Sequence, residues 1–462
     1  MSMSEKSYDL AITGRILKGD HFIDDSTLLI NSGKIVGITS GAAEQIAKKT
    51  IQANGNWILP GAIDSHVHSL SYAGEGFAHA SRSACAGGVT TIIDMPVDAP
   101  YGVATSEVFD AKKELLEKES FVDIALLASV KNDTINNIEQ LKEHGCCGFK
   151  LSLFDTDPNR FPRVQDGHLF AAFKKISLTG LTAGVHAEND EIIKILIEEY
   201  KQAGKTYPLA HCETRPEVSE TASVLKGLEI ARAAGVRFHL YHISCSRSID
   251  LANYYRKEGC PVTVETCPHY LVFSEEDMDR IGGRLRINPP VRSRGESDRL
   301  WEKLHRGEID CVSSDHAPWP AEEKDHASIF DNLSGAPGVE TLLPMLFSEG
   351  VVKERISIST LARVLMENPA KIFGLFPQKG ILEIGSDADV TIFDPNEKWT
   401  VRAEQLYSRA GWTPYEGMEL TGRVKSTIVR GEVVYDHGNI LVERGYGKFI
   451  TPKMRAYGKV EE

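Results

Sequence analysis

The chain has 462 residues, 42% of them hydrophobic, and carries a formal net charge of −13 from 52 Lys+Arg against 65 Asp+Glu. That is enough apolar material for a large core and for two or three domains, and the acidic balance argues against nucleic acid or an anionic membrane surface as a partner. No run of about 18 or more apolar residues marks a membrane span. MSMSEKSYDLAITG lacks a signal core and a cleavage site, and eight scattered cysteines, with Cys146 and Cys147 adjacent, show no disulfide framework. The expected location is a reducing cytoplasm.

In chain order, the first segment reads as small antiparallel strands. YDLAITGRIL, STLLINSGKIVGI and KTIQANGNWILP alternate or run apolar between Gly or Asn-Gly breaks, which is hairpin punctuation. The same texture returns near the C-terminus in DADVTIFD and VKSTIVRGEVVYDHGN. Termini often lie close together, so residues 1–58 and 380–462 are expected to build one small β-sandwich domain. Within the second segment, the tail after Asn439, ILVERGYGKFITPKMRAYG, mixes aromatics with aliphatics. It is a candidate contact between copies, or a segment packed on its own chain.

Between these ends, residues 59–379 alternate short apolar runs with amphipathic stretches. The runs are ILPGAIDSHVH, VTTIIDM, VDIALLAS, CGFKLSL, LTAGVHAE, RFHLYHIS, VTVETCP and IDCVSSDHA. Helical stretches such as SEVFDAKKELLEKE, EIIKILIEEYKQAG, ASVLKGLEIARAAG and SDRLWEKLHRG lie between most of them. Eight alternations predict an α/β fold, a TIM-like (β/α)8 barrel. A doubly wound sheet is disfavoured, because no GxGxxG follows the first strand.

Active sites of such barrels form at the C-terminal strand ends. There the first strand offers His66 and His68, the fourth Lys150, the fifth His186, the sixth His242 and the eighth Asp315. Side chains alternate along a strand, so His66 and His68 share a face with Asp64. The same parity sets His242 with Leu240 and Phe238 toward the barrel interior and turns His239 and Tyr241 away. Lys150 stands in an otherwise small or apolar run, CCGFKLSL, where its charge needs compensation.

Singly, each residue has an ordinary explanation. A lone histidine is usually a satisfied polar residue, Asp315 could cap a helix, and Lys150 could reach water past the strand end. Together they place four imidazoles, a carboxylate and an amine on one rim. Imidazole and carboxylate suit zinc, and the set exceeds what one tetrahedral ion needs. Two ions about 3.5–4 Å apart would use all of it, generating a hydroxide nucleophile and polarising a carbonyl.

These residues, in this order, resemble the cyclic amidohydrolases of the amidohydrolase superfamily: hydantoinases, dihydropyrimidinases, allantoinases and dihydroorotases. The resemblance covers nearly the whole chain. It rests on LPGAIDSHVH, GGVTTIIDMP, GFK, VHAEN, LYHIS, ETCPHY, NPPVR, SSDHAP, GAPGVETLLPML and PQKGILEIGSDADVTIFD. The L-hydantoinase type is the nearest match, and ETCPHY and the SDH segment are also allantoinase-like. The resemblance implies a distorted barrel flanked by the β-sandwich, with His66, His68 and Asp315 on a first zinc ion and His186 and His242 on a second. Lys150 would be an N6-carboxylysine, a CO2-derived carbamate bridging both ions. Asp315 would also be the catalytic base, taking the proton of the bridging hydroxide and passing it to the leaving ring nitrogen. Asn288 in NPPVR and Ser334 in SGAPG would contact the substrate ring, and the chain would form a homotetramer or other homo-oligomer.

The expectation is therefore a cytoplasmic, binuclear zinc hydrolase that opens the cyclic amide bond of a hydantoin-like or ureide ring. Allantoinase proper is the alternative, then a dihydropyrimidinase or cyclic imide hydrolase. Outside enzymes, the alternative is a non-catalytic binding protein on the same fold. Dihydroorotate is disfavoured, because the family's His-x-His-x-Arg is here His66-Val67-His68-Ser69-Leu70 and its Asn-Thr is Val97-Asp98. The tyrosine that D-hydantoinases place after the lysine is absent from LSLFDTDPNRFPR. Phe154, Phe161, Arg160 and Arg163 stand there instead, either to meet a ring substituent or as a solvated loop. His269 in CPHY shapes the pocket or supports a ligand.

Overall fold

The computed structural model describes residues 7–41 and 46–453. The N-terminal segment forms β1 (Tyr8–Lys18), β2 (His21–Asn31), β3 (Lys34–Ser40) and β4 (Ala47–Pro60). β1 pairs antiparallel with β2 and parallel with β4. The turn between β1 and β2 holds Gly19 at φ +62, a conformation that costs glycine least.

The barrel follows. Its strands are β5 (Ala62–Val67), β6 (Val89–Asp94), β7 (Asp123–Leu126) with its continuation β8 (Ala128–Ser129), β9 (Gly148–Ser152), β10 (Thr182–His186), β11 (Arg237–Leu240), β12 (Val262–Thr266) and β13 (Cys311–Val312). All neighbouring pairs are parallel. The ring closes just past the strand ends, where His68 N–H donates to the His316 carbonyl at 2.8 Å and His316 N–H to that of His66 at 3.2 Å. Helices such as Ser106–Glu119, Asp166–Thr179, Asp190–Gln202, Glu217–Ala234 and Arg294–His305 cover the outside. Their ends are set locally. Thr105 and Asn189 accept the N–H of the residue three further on, and Gly180 and Gly235 take left-handed conformations after the last turn. The expected α/β barrel is borne out.

Ile63, Ile93, Ala125, Leu127, Cys147, Tyr241 and Cys311 make one cluster inside the barrel. This corrects the parity read for the sixth strand. Tyr241 points inward, and the ring of His239 lies 4.5 Å from it, whereas Phe238 packs outward on Phe173 of a covering helix, with ring centroids 5.5 Å apart. β11 ends at Leu240, so alternation no longer governs His242. Its backbone turns left-handed, at φ +39.

The C-terminal segment returns as β14 (Val390–Thr400), β15 (Glu419–Val429), β16 (Glu432–Asp436) and β17 (Asn439–Ile440). It extends the first sheet into the order β17-β16-β15-β14-β4-β1-β2-β3. Leu10, Ile12, Leu28, Ile58, Val390 and Ile428 share a core separate from the barrel's. A buried ion cluster ties the two parts together. Lys379 Nζ lies 2.6 Å from Asp123 and Asp389 and 3.0 Å from Asp387, and Arg430 also meets Asp123. The C-terminal tail packs on its own barrel as far as it is described: Ile124 N–H donates to Lys448, and Ile450 N–H to Ile124. The rest of that candidate interface, from residue 454, lies outside the described residues. Among the described residues no helix is long and apolar enough to cross a membrane.

Candidate active site

All six candidate ligands gather at the C-terminal mouth of the barrel. His66 Nε2 and His68 Nε2 lie 3.2 and 3.4 Å from Asp315 Oδ1. Lys150 Nζ sits 2.6 Å from His66 Nε2. His186 Nδ1 faces His242 Nε2 at 3.0 Å, and the His242 ring is 5.3 Å from that of His66. Lys150 lies opposite Phe149 and Leu151, which pack outward. Asp315, like His242, has positive φ, at +48. Left-handed backbone in bulky residues is uncommon and clusters at functional sites.

For three of the four imidazoles, a partner on the far side fixes the tautomer. His66 Nδ1–H donates to Glu265 at 2.7 Å, and His186 Nε2–H donates to Glu188 at 2.9 Å. Ser71 Oγ gives its proton to the Val97 carbonyl, so it accepts from His68 Nδ1–H at 3.1 Å. Three imidazoles are thereby left with a bare nitrogen turned into the cluster, the arrangement that carboxylate–histidine–metal triads use. Backbone is pinned as well, because Asp64 Oδ1 accepts from the N–H of His66 and Ser314.

Burial sets the electrostatics. It lowers Lys150 to about 8 and His66 to about 4, and it takes His68 and His242 well below the usual range. It raises Asp64 to about 7. Burial also pushes the Glu188 carboxyl up, but Arg215 and His186 outweigh it and hold the group well below the carboxylate range. Glu265 behaves likewise through His66 and His239. Burial thus favours the neutral, metal-binding form of Lys150, His66, His68 and His242, with ionised Glu188 and Glu265 standing behind His186 and His66.

A cavity opens over this cluster. His68, Lys150, His186, His242 and Asp315 form its floor, and Asn288 and Ser334 stand in its wall. Asn288 Oδ1 is buried without a hydrogen-bond partner among the described residues, while the Ser334 carbonyl accepts from Trp319 Nε1–H at 2.8 Å. The loop after β9 contributes Arg160 and Phe161. Arg160 is aimed by Asp157, at 2.8 Å, and by the Ser71 carbonyl, at 3.2 Å. Phe154 and Arg163 are not in the wall. Phe154 packs beneath Arg215, near the His186 ring, and Arg163 pairs with Glu191. His269 is buried against Tyr270, with Nε2 unpartnered among the described residues.

The comparisons agree with this geometry. Residues 57–434 match the model of the amidohydrolase family. The chain belongs to that family. An L-hydantoinase of Paenarthrobacter aurescens is 36% identical over 450 residues, covering 96% of this chain and 98% of that protein. An allantoinase of Deinococcus radiodurans is 34% identical, covering 94% of this chain and 96% of that protein. The solved L-hydantoinase (dihydropyrimidinase) of Arthrobacter aurescens superposes with a TM-score of 0.93 at 36% identity, over 96% of this chain and all of that one. This amidohydrolase is thus a metal-dependent hydrolase of the hydantoinase and allantoinase group.

Several residues that build the amidohydrolase site escaped the reading of the sequence: Glu265, Glu188, Arg215, Ser71 and Trp319. Glu265 carried a usable signal, since it is the one charge in the buried run VTVET, the same anomaly that marked Lys150. Glu188 follows His186 by two residues. Arg215, which donates to Glu188 at 2.6 Å, and Trp319 come from loops whose path nothing local fixes. A second buried donor group lies deeper, where Glu265, His239 and Cys311 converge. There Ser65 Oγ–H already donates to Glu265 Oε2 at 2.9 Å.

Proposed function

We propose that this amidohydrolase is a cytoplasmic, binuclear zinc enzyme that hydrolyses the cyclic amide of a hydantoin-type ring. Residues 59–379 form its catalytic domain in this reading, the two ends form one β domain, and the chain acts as a homo-oligomer. The observation that carries the site assignment is Lys150, an enclosed amine held among four imidazoles and Asp315. Among the described residues no carboxylate forms a salt bridge with this lysine, and a carbamate would account for it. The neutral amine, favoured by burial, bonds to the carbon of CO2 and loses a proton. Such an anion would offer one oxygen to each of two ions, which His66, His68 and Asp315 would hold on one side and His186 and His242 on the other.

When bound, the ions supply activation of water and polarisation of the amide carbonyl. The chain's own groups do the rest. Asn288 and Ser334 hold the ring, and Phe161 and Trp319 flank it. Asp315 takes one proton from the attacking water as the new carbon–oxygen bond forms. It returns that proton to the ring nitrogen as the carbon–nitrogen bond breaks. The product is an open-chain N-carbamoyl acid.

Arg160 supports a second reading, allantoinase proper, because a fixed guanidinium at the cavity wall suits the carbonyl of a ureido substituent. The discriminating experiment offers the zinc- and bicarbonate-supplied enzyme hydantoin, 5-substituted hydantoins of both hands, allantoin, dihydrouracil, dihydroorotate and cyclic imides. The highest kcat/KM is expected for a hydantoin or for allantoin. Preference for dihydroorotate or imides would overturn the substrate assignment.

A further inference from the structure

We propose that Glu265 is a positioning residue that couples the two metal positions by holding one ligand of each; this rests on the binuclear reading above. Glu265 is fully buried on β12. Its Oε1 accepts from His66 Nδ1–H at 2.7 Å and from the backbone N–H of His242 at 3.4 Å. Its own backbone carbonyl accepts from Ile243 N–H at 2.8 Å. One residue therefore grips the His66 ring by its far nitrogen and the chain on either side of the His242 peptide.

The grip on His242 matters because β11 has already ended there. At φ +39 the backbone lies in a sparsely populated region and keeps that shape only where its surroundings impose it. Glu265 supplies that constraint twice, from side chain and main chain. Its other oxygen is fixed in turn, accepting from Ser65 Oγ–H at 2.9 Å and lying 3.6 Å from His239 Nε2. The carboxylate cannot swing away from one partner without losing the others. Glu188 makes the contrast. It holds the His186 ring and is itself held by Arg215, so it serves the second position alone.

The test is metal binding by the full chain. Zinc is removed with a chelator, then returned by competition titration in bicarbonate buffer for wild type, Glu265→Gln and Glu188→Gln. Circular dichroism confirms that each metal-free protein is folded. Loss of an outer partner of a ligand typically weakens binding by about 10–100-fold. Glu265→Gln is expected to weaken both wild-type sites by about tenfold or more, and Glu188→Gln only one. If Glu265→Gln does not fold, Glu265→Asp, which keeps the charge but withdraws the oxygens, should give the same paired loss. Two wild-type sites of which the Glu265 variant weakens one or none would overturn the inference alone. A wild-type chain that binds a single ion would overturn the binuclear reading and the inference with it.

Discussion

Lys150 Nζ and His66 Nε2 are 2.6 Å apart in a site that admits almost no solvent to either. His66 has its proton on the other nitrogen, so its bare Nε2 and the lysine amine converge on one small volume. Burial lowers Lys150 to about 8, so the neutral amine that CO2 needs is accessible near neutrality. Raising the pH through about 8 increases the neutral fraction, and carbamate formation at fixed dissolved CO2 should rise with it. Carbon-13 NMR of the metal-free protein under labelled CO2 checks this. A Lys150 carbamate signal that grows with pH is expected, and a flat or falling signal argues against the assignment.

Removing the amine tests the same group by loss of function. Lys150→Ala should lose most of its metal and activity, and short carboxylic acids that mimic the carbamate should restore part of both. Metal analysis and turnover with and without the acid are the readouts. Full activity in the unsupplemented variant contradicts a bridging role.

Asp315 lies against both His66 and His68 and faces the cavity. Asp315→Asn keeps the shape but removes the base. At saturating zinc, kcat should fall by about 10²–10⁴-fold, the usual range for losing general acid–base catalysis. A loss below tenfold would give the proton transfer to another group.

Arg160 should act on substrate choice rather than on the chemistry. A hydrogen bond from a charged donor contributes about 1.5–3 kcal/mol, so Arg160→Ala should lower kcat/KM for allantoin by about tenfold or more. Unsubstituted hydantoin, which lacks the ureido substituent, should change by less than about threefold. Equal losses on both substrates would make Arg160 a support for the loop.

The Lys379 cluster joins barrel to β domain, with side chains of Lys379, Asp123 and Asp389 1%, 0% and 4% exposed. Removing one partner of a buried ion cluster strands the others and typically costs about 3–5 kcal/mol. Lys379→Ala should lower stability to urea by that order and leave kcat per folded molecule unchanged. An unchanged midpoint would show that water or rearrangement satisfies the carboxylates.

The barrel and the six candidate ligands that it gathers at one mouth were legible in the sequence because both rest on short-range rules. Strand and helix periods repeat along the chain, and Lys150 and the His66–His68 pair depart from them visibly. Alternation failed at His242 because this residue sits beyond the strand end, where a left-handed turn rather than the pleat aims the side chain. Phe154 and Arg163 were indistinguishable in sequence from Phe161 and Arg160. Only the fold of their loop, where Phe161 pairs back with Asp157 and Val164 with Ser152, decides which pair faces the cavity. Glu188 and Glu265 act through other residues, and that Glu265 on β12 meets His66 on β5 is a tertiary fact.

The most direct test of the account is a crystal structure of the zinc- and bicarbonate-supplied enzyme, with anomalous data to locate the metal. Two zinc ions about 3.5–4 Å apart are predicted, with a carboxylated Lys150 between them, His66, His68 and Asp315 on one side and His186 and His242 on the other. A single ion beside an unmodified Lys150 amine would contradict it.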